Sequence, residues 1–230
     1  MIKLERTSVM NMENAIRGAR NPMNSWDRMD SGWEFVEDPS VINPNDEVKF
    51  ILGPNDLSLA RKLVKAGSDH RKFLRQIFVS VDITAPLYWY KEFDTYKVST
   101  VANSCSTMHK IHAKEFTLDD FSHEHLTLYD VDGEICRDWL GDLEDLIDDL
   151  NLARELFLKT KDKKYWWQMI QLLPSSYNQL RTVTLNYETL LNQYHARKHH
   201  KLDEWHTYCD WSETLPYFKE MCLEGEKDGE

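Results

Sequence analysis

The chain has 230 residues, 41% of them hydrophobic, which is enough to bury a sizeable core in one domain. Its formal net charge of -11 argues against duplex nucleic acid as a partner, because non-specific affinity for a duplex comes from Lys and Arg neutralising backbone phosphates. A small nucleotide in a local basic pocket stays open. Cys105, Cys136, Cys209 and Cys222 lie far apart with no C-x-x-C pair, a pattern of free thiols in a reducing cytoplasm rather than a zinc site or disulfide framework. No apolar run reaches about eighteen residues and the start lacks a signal-peptide core, so a soluble, cytoplasmic protein without a membrane partner is expected.

From Met1 to about Asn45 the chain is rich in Asn, Asp, Met and Trp, punctuated by Pro22, Pro39 and Pro44, with a short helix expected around Met12 to Ala19. Asp56 is read as the cap of a helix through Leu57, Ala60, Leu63 and Val64, terminated by Gly67. Ile77 to Ile83 has the alternation of a half-buried strand, ended by Pro86, which opens the first turn of a helix. An acidic, insertion-like segment at about 113–141 contains the turn signal Asp132-Gly133. Leu143, Leu146, Ile147, Leu150, Leu152, Leu156 and Phe157 mark an amphipathic helix. A charged turn at Lys159 to Lys164 leads into a helix that stops before Pro174, and a long helix is expected from about Tyr177 to Gln193. Residues 1–222 are read as a single domain, with a fraying tail at 223–230. The balance of elements gives an α+β class, helices packed on a small central antiparallel or mixed sheet. Neither a Rossmann glycine fingerprint nor a Walker loop is present.

The segment Ala85 to Ser106, APLYWYKEFDTYKVSTVANSCS, is similar to the signature of flavin-dependent thymidylate synthases, R-H-R-x-x-S-x-N-E-x-S-x-R following a strand and a helix. In that match Thr95-Tyr96-Lys97 fall on R-H-R, Thr100 replaces the first serine, Asn103 and Ser106 fall on N-E-x-S, and Met108 stands at the last arginine. An ungapped match shifts R-H-R to Tyr96-Lys97-Val98. A second stretch, LPSSYNQLRTVTLNYETLLNQYHAR, resembles the family's C-terminal helix through Pro174, Asn186, Leu190 and Arg197, with Glu188 in place of the arginine of N-x-R. Upstream, Gly67 matches the family's glycine turn, and Arg75-Gln76 occupy its E-H pair.

The resemblance implies methylation of deoxyuridylate with reduced FAD and methylenetetrahydrofolate, NADPH being the reductant, in a homo-oligomer of tetrameric type whose sites draw on several subunits. Ser106 and Arg197 are then the catalytic candidates; Lys97, Asn103 and Asn186 the cofactor-binding ones; Thr100, Ser106 and Arg197 the substrate-binding ones. Arginine binds oxyanions through a planar fork, so its replacement by Thr, Tyr, Met and Glu along the motif should cost ligand affinity. That loss favours an alternative: a non-catalytic member of the fold that binds a nucleotide or another protein.

Other features carry competing readings. His195, His199, His200, Asp203 and His206 have the spacing of a metal group, against a solvated helix face. His123 and His125, placed on one side of a strand, suit a metal pair without an evident third ligand or a structural or surface role. Tyr88, Trp89, Tyr90 and Phe93 suit either stacking on a flavin or core packing. Asn103, Ser104 and Ser106 equally suit a helix cap or a turn, and Arg197 a pairing with a nearby surface acid. Glu144, Asp145, Asp148 and Asp149 are read as a solvated face.

Overall fold

The computed structural model describes residues 2–35 and 48–224. In chain order its elements are β1 (Lys3–Met10), α1 (Met12–Ala19), β2 (Gly32–Phe35), β3 (Val48–Ile51), α2 (Pro54–Lys65), β4 (Phe78–Pro86), α3 (Leu87–Phe93), β5 (Val101–Ser104), α4 (Thr107–Lys110), β6 (Leu128–Val131), β7 (Glu134–Asp138), α5 (Trp139–Thr160), α6 (Lys163–Leu172), β8 (Asn178–Asn186), α7 (Tyr187–Arg197) and α8 (Asp203–Glu213). A four-stranded sheet has the order β1-β4-β8-β5, and two antiparallel ribbons pair β2 with β3 and β6 with β7. This is the α+β class with a small sheet. Pro39, Pro44 and the tail beyond Glu224 lie outside the described residues.

β4 obeys the period of two. Val79, Val81, Ile83 and Ala85 are buried, while Ser80 and Asp82 on the alternate positions meet β8 through Thr184 Oγ1 to Ser80 (3.3 Å) and Thr182 Oγ1 to Asp82 (2.6 Å). The expectation of one long helix from Tyr177 is corrected by β8. In Thr182-Val183-Thr184-Leu185 the β-branched residues and the alternation of Val183 and Leu185, both buried, with half-buried Thr184 suit a strand that pairs with β4. Helix begins only at Tyr187.

Contacts divide the chain into two compact units. The first comprises 2–5, 82–95 and 102–182. Its α5 and α6 surround a core of Ile111, Phe116, Phe121, Leu143, Ile147, Leu150 and Met169. Burial of each such side chain contributes about 1.5–3 kcal/mol. Asn151 closes the core's polar edge by hydrogen bonding both backbone groups of Phe116 at 2.9 Å. The acidic segment forms the β6–β7 hairpin, where Asp132 (φ 53°) and Gly133 (φ 84°) make the tight turn that positive φ permits. Glu144, Asp145, Asp148 and Asp149 are exposed, as the helix period requires.

The second unit comprises 6–81, 96–101 and 183–224. α2 starts from Gly53, and Asp56 is not its cap. Asp56 is buried at the helix's third position, where its carboxylate accepts from Arg20 Nε and Ser31 Oγ at 2.6 Å each. The carboxylate is recruited to neutralise the buried Arg20, a tertiary need that a local capping pattern does not reveal. Gly53 is required by crowding, since a Cβ there would lie 2.3 Å from the Asp30 backbone oxygen. Gly67 ends the helix region at φ 96°. Glu224 accepts from Arg61 Nη2 at 2.7 Å. Among the described residues no helix is long and apolar enough to cross a membrane.

Candidate functional site

The second unit holds four of the residues singled out by sequence: Lys97 and Thr100 on the loop before β5, and Asn186 and Arg197 at the two ends of α7. Arg197, half-buried, donates from Nε to the Tyr96 hydroxyl at 3.0 Å. Its guanidinium carbon lies 5.0 Å from the ring of Trp205 and 5.7 Å from that of Tyr96, distances at which a cation is attracted to the aromatic face. Lys97 is exposed, next in chain to Tyr96. The Thr100 hydroxyl is buried without a hydrogen-bond partner among the described residues. Sequence reasoning passed over Tyr96 and Trp205. The only signal for Tyr96 was its place in the R-H-R match, and for Trp205 there was none.

The opposite end of α7 is closed. Asn186 is buried, and its side-chain oxygen accepts from the Thr189 N–H at 2.9 Å, capping the helix. Glu188, also buried, receives Arg71 Nε at 3.2 Å and Arg75 Nε. The hydrogen bond and charge of Glu188 push the Arg75 guanidinium's proton affinity up. Arg71 continues to Asn192 at 3.0 Å. The two positions at which the chain departs in sign from the matched motif, Arg75 and Glu188, thus face one another. The reversal at Glu188 is compensated locally.

In the first unit, Asn103 is exposed on β5, the edge strand of the sheet. Ser106, also exposed, caps α4 by accepting from the His109 N–H at 3.1 Å. β5 is fixed to its neighbour by Cys105 N–H to the Leu180 carbonyl (2.9 Å) and by Gln179 Nε2 to the Cys105 carbonyl (2.7 Å). Arg181 is a further cation that the sequence did not single out. It donates to Gln179 and to Asp94 and lies 3.7 Å over the Tyr90 ring, so it serves the packing of α3. Trp89, Tyr90 and Phe93 are buried against one another, which assigns three of the four helix aromatics to the core.

The histidine readings resolve differently. His206 Nε2 contacts the His200 carbonyl at 2.7 Å, and His200 Nδ1 accepts from the Leu202 N–H at 3.2 Å. Among the described residues no three His, Cys, Asp or Glu side chains are arranged to hold a metal. His123 and His125 lie in a loop, not on a strand; a turn closed by the Leu126 N–H to the His123 carbonyl (2.9 Å) takes the backbone out of the extended form. A cavity of about 920 Å3 in the second unit, walled by Trp33, Phe50, Leu215 and Tyr217, is lined by none of the six sequence-selected residues.

The fold is that of the flavin-dependent thymidylate synthase ThyX. The ThyX structure from Helicobacter pylori with FAD and dUMP has a TM-score of 0.65 at 14% identity, covering 97% of this chain and 98% of that one. A UMP/dUMP methylase, PolB from Streptomyces cacaoi, bound with 5-Br dUMP, has a TM-score of 0.57 at 14% identity over 99% of this chain and 94% of that one. No family profile and no curated protein matches the sequence.

At the start of α7 the polar side chains serve the fold: the Asn186 oxygen caps the helix, and the Glu188 carboxylate receives Arg71 and Arg75.

Proposed function

We propose that the chain is a diverged pyrimidine-nucleotide-modifying protein of the ThyX fold, with deoxyuridylate or a close relative as its nucleotide. The observation that carries this reading is the posture of Arg197, half-buried and held by Tyr96 and Trp205 in the position that the motif match gives to a nucleotide-contacting arginine. A guanidinium suits a phosphate because it forms two parallel charge-assisted hydrogen bonds. Lys97 and Thr100, from the loop that also carries Tyr96, would add a point charge and a hydroxyl. In its fullest form the function is thymidylate synthesis with reduced FAD, methylenetetrahydrofolate and NADPH in a homo-oligomer, Ser106 serving the base and Asn103 the cofactor.

The test is calorimetric titration of deoxyuridylate into the wild type and Arg197→Ala. A phosphate contact predicts a loss of about 1.5 to 3 kcal/mol, and equal affinity would remove Arg197 from the site. The visible absorption spectrum of the purified protein, before and after FAD addition, checks the cofactor: a bound flavin shows two visible bands.

A second reading, binding without turnover, is favoured by the closed start of α7, where Asn186 and Glu188 serve the fold. Deoxyuridylate binding by a colourless protein that ignores FAD would decide for it.

A further inference from the structure

We infer that Tyr96 is the positioning residue for Arg197 and sets this chain's preference for a phosphorylated nucleoside over the bare nucleoside. The inference rests on the nucleotide reading above and adds a residue and a selectivity to it.

The argument begins with the mobility of arginine. A free arginine side chain samples many rotamers, and ordering it on binding costs free energy that a prearranged side chain has already spent. Two contacts help to hold Arg197. Its Nε–H donates to the Tyr96 hydroxyl at 3.0 Å, and the guanidinium carbon lies 5.0 Å from the Trp205 ring. The first contact fixes the turn of the guanidinium plane about its stem, and the second fixes its height over the aromatic surface. Tyr96 is itself held, with its ring edge-on to Trp205 at 6.3 Å between centroids. Trp205 is fully buried and packs edge-on against Tyr208 at 5.5 Å. Tyr208, also fully buried, donates from its hydroxyl to Gln193 Oε1 at 2.7 Å. Gln193 lies one helical turn before Arg197 on α7, so the two share a face.

The contacts therefore close on themselves: from α7 through Gln193 to Tyr208 and Trp205 of α8, across to Tyr96 on the loop, and back to α7 at Arg197. A closed chain of this kind fixes its members more firmly than any single contact does. Its exposed product is the orientation of one cation. Phenylalanine at position 96 would keep the ring against Trp205 and lose only the acceptor for Nε–H. The hydroxyl thus has a role that the core does not need.

A dianionic phosphate gains most from an oriented guanidinium, because the two parallel hydrogen bonds require a set plane. A neutral nucleoside gains little. Tyr96 also precedes Lys97 directly, so the same anchor fixes the loop that carries the second cation.

The experiment titrates deoxyuridylate and deoxyuridine separately into the wild type, Tyr96→Phe, Arg197→Ala and the double variant, with the arginine Nε–H signals followed by NMR and thermal midpoints recorded. Tyr96→Phe should weaken deoxyuridylate about tenfold, the worth of one hydrogen bond to a charged group, and leave deoxyuridine and the thermal midpoint unchanged. The Arg197 Nε–H signal should broaden or vanish in Tyr96→Phe. In the Arg197→Ala background the Tyr96→Phe effect should disappear, which a purely structural tyrosine would not show. Equal deoxyuridylate affinity of the wild type and Tyr96→Phe, or equal weakening of both ligands, overturns the role of Tyr96 while the nucleotide reading stands. A wild type that does not bind deoxyuridylate, or does not prefer it to deoxyuridine, overturns the nucleotide reading and this inference together.

Discussion

The two ends of α7 differ in burial and in the partners of their charges. At its start, Asn186 and Glu188 are buried, and every named polar contact turns inward: a cap to Thr189 and ion pairs to Arg71 and Arg75. At its end, Arg197 is half-buried and rests on aromatic rings beside an exposed loop. A buried charge is tolerable only with partners, because desolvation costs several kcal/mol per ion; a half-buried cation keeps part of its hydration. Eleven residues of one helix thus join a fold-holding corner to a candidate ligand contact. Both departures in sign from the matched motif, Arg75 and Glu188, meet at the helix start.

The comparison can be broken most forcefully at Glu188. Glu188→Ala leaves two arginines facing each other without their carboxylate and should destabilise by about 2 to 4 kcal/mol, read as a fall in the urea midpoint. Arg75→Ala should cost less, since half of that side chain is in solvent. Exchanging the charges, with Glu188→Arg and Arg75→Glu together, should recover part of the loss of either single reversal; no recovery would mean that the pair does not couple.

Arg197→Ala should show the reverse profile, losing deoxyuridylate affinity as given above while its unfolding midpoint stays close to that of the wild type. A midpoint shift as large as that of Glu188→Ala would erase the distinction between the two ends. Asn186→Ala removes a helix cap and should cost about 1 kcal/mol in chemical unfolding. Its deoxyuridylate affinity should not change; a loss there would return Asn186 to the binding machinery.

The smallest effects concern the thiols. Cys105 and Cys136 are exposed, Cys209 and Cys222 buried, so a thiol reagent at pH 8 should label the first two quickly and the others only on unfolding. Burial, aided by Asp210 and Glu213, pushes the Cys209 thiol up to about 11. The unfolded chain loses that proton near the ordinary value of 9.0. Stability from the neutral thiol is therefore complete below pH 9 and declines as pH rises toward 11. Cys209→Ser should flatten that decline in alkaline melts.

Much of the fold was legible where local pattern and tertiary role coincide. The α1 bounds, the β4 alternation, Pro86 as the joint to α3, the Asp132-Gly133 turn and the apolar stripe of α5 all follow from periodicity, φ preference and missing donors. β8 was misread because Leu180 to Asn186 precedes a real helix and shares its apolar content. Only pairing with β4 separates strand from helix in so short a run. Asp56 was misread because its partner Arg20 is 36 residues away.

The candidate site was legible in its residue identities and illegible in their alliances. The motif match found Arg197 and noted the odd signs at Arg75 and Glu188, but the distances that decide their roles span 101 residues for Tyr96–Arg197 and 113 for Arg75–Glu188. By itself the sequence determined the short-range elements and the inventory of cations, hydroxyls and thiols, because these depend on neighbours within a turn. The tertiary structure decided how those groups are partnered, because that depends on who is brought within about 3 Å, where hydrogen bonds and ion pairs act.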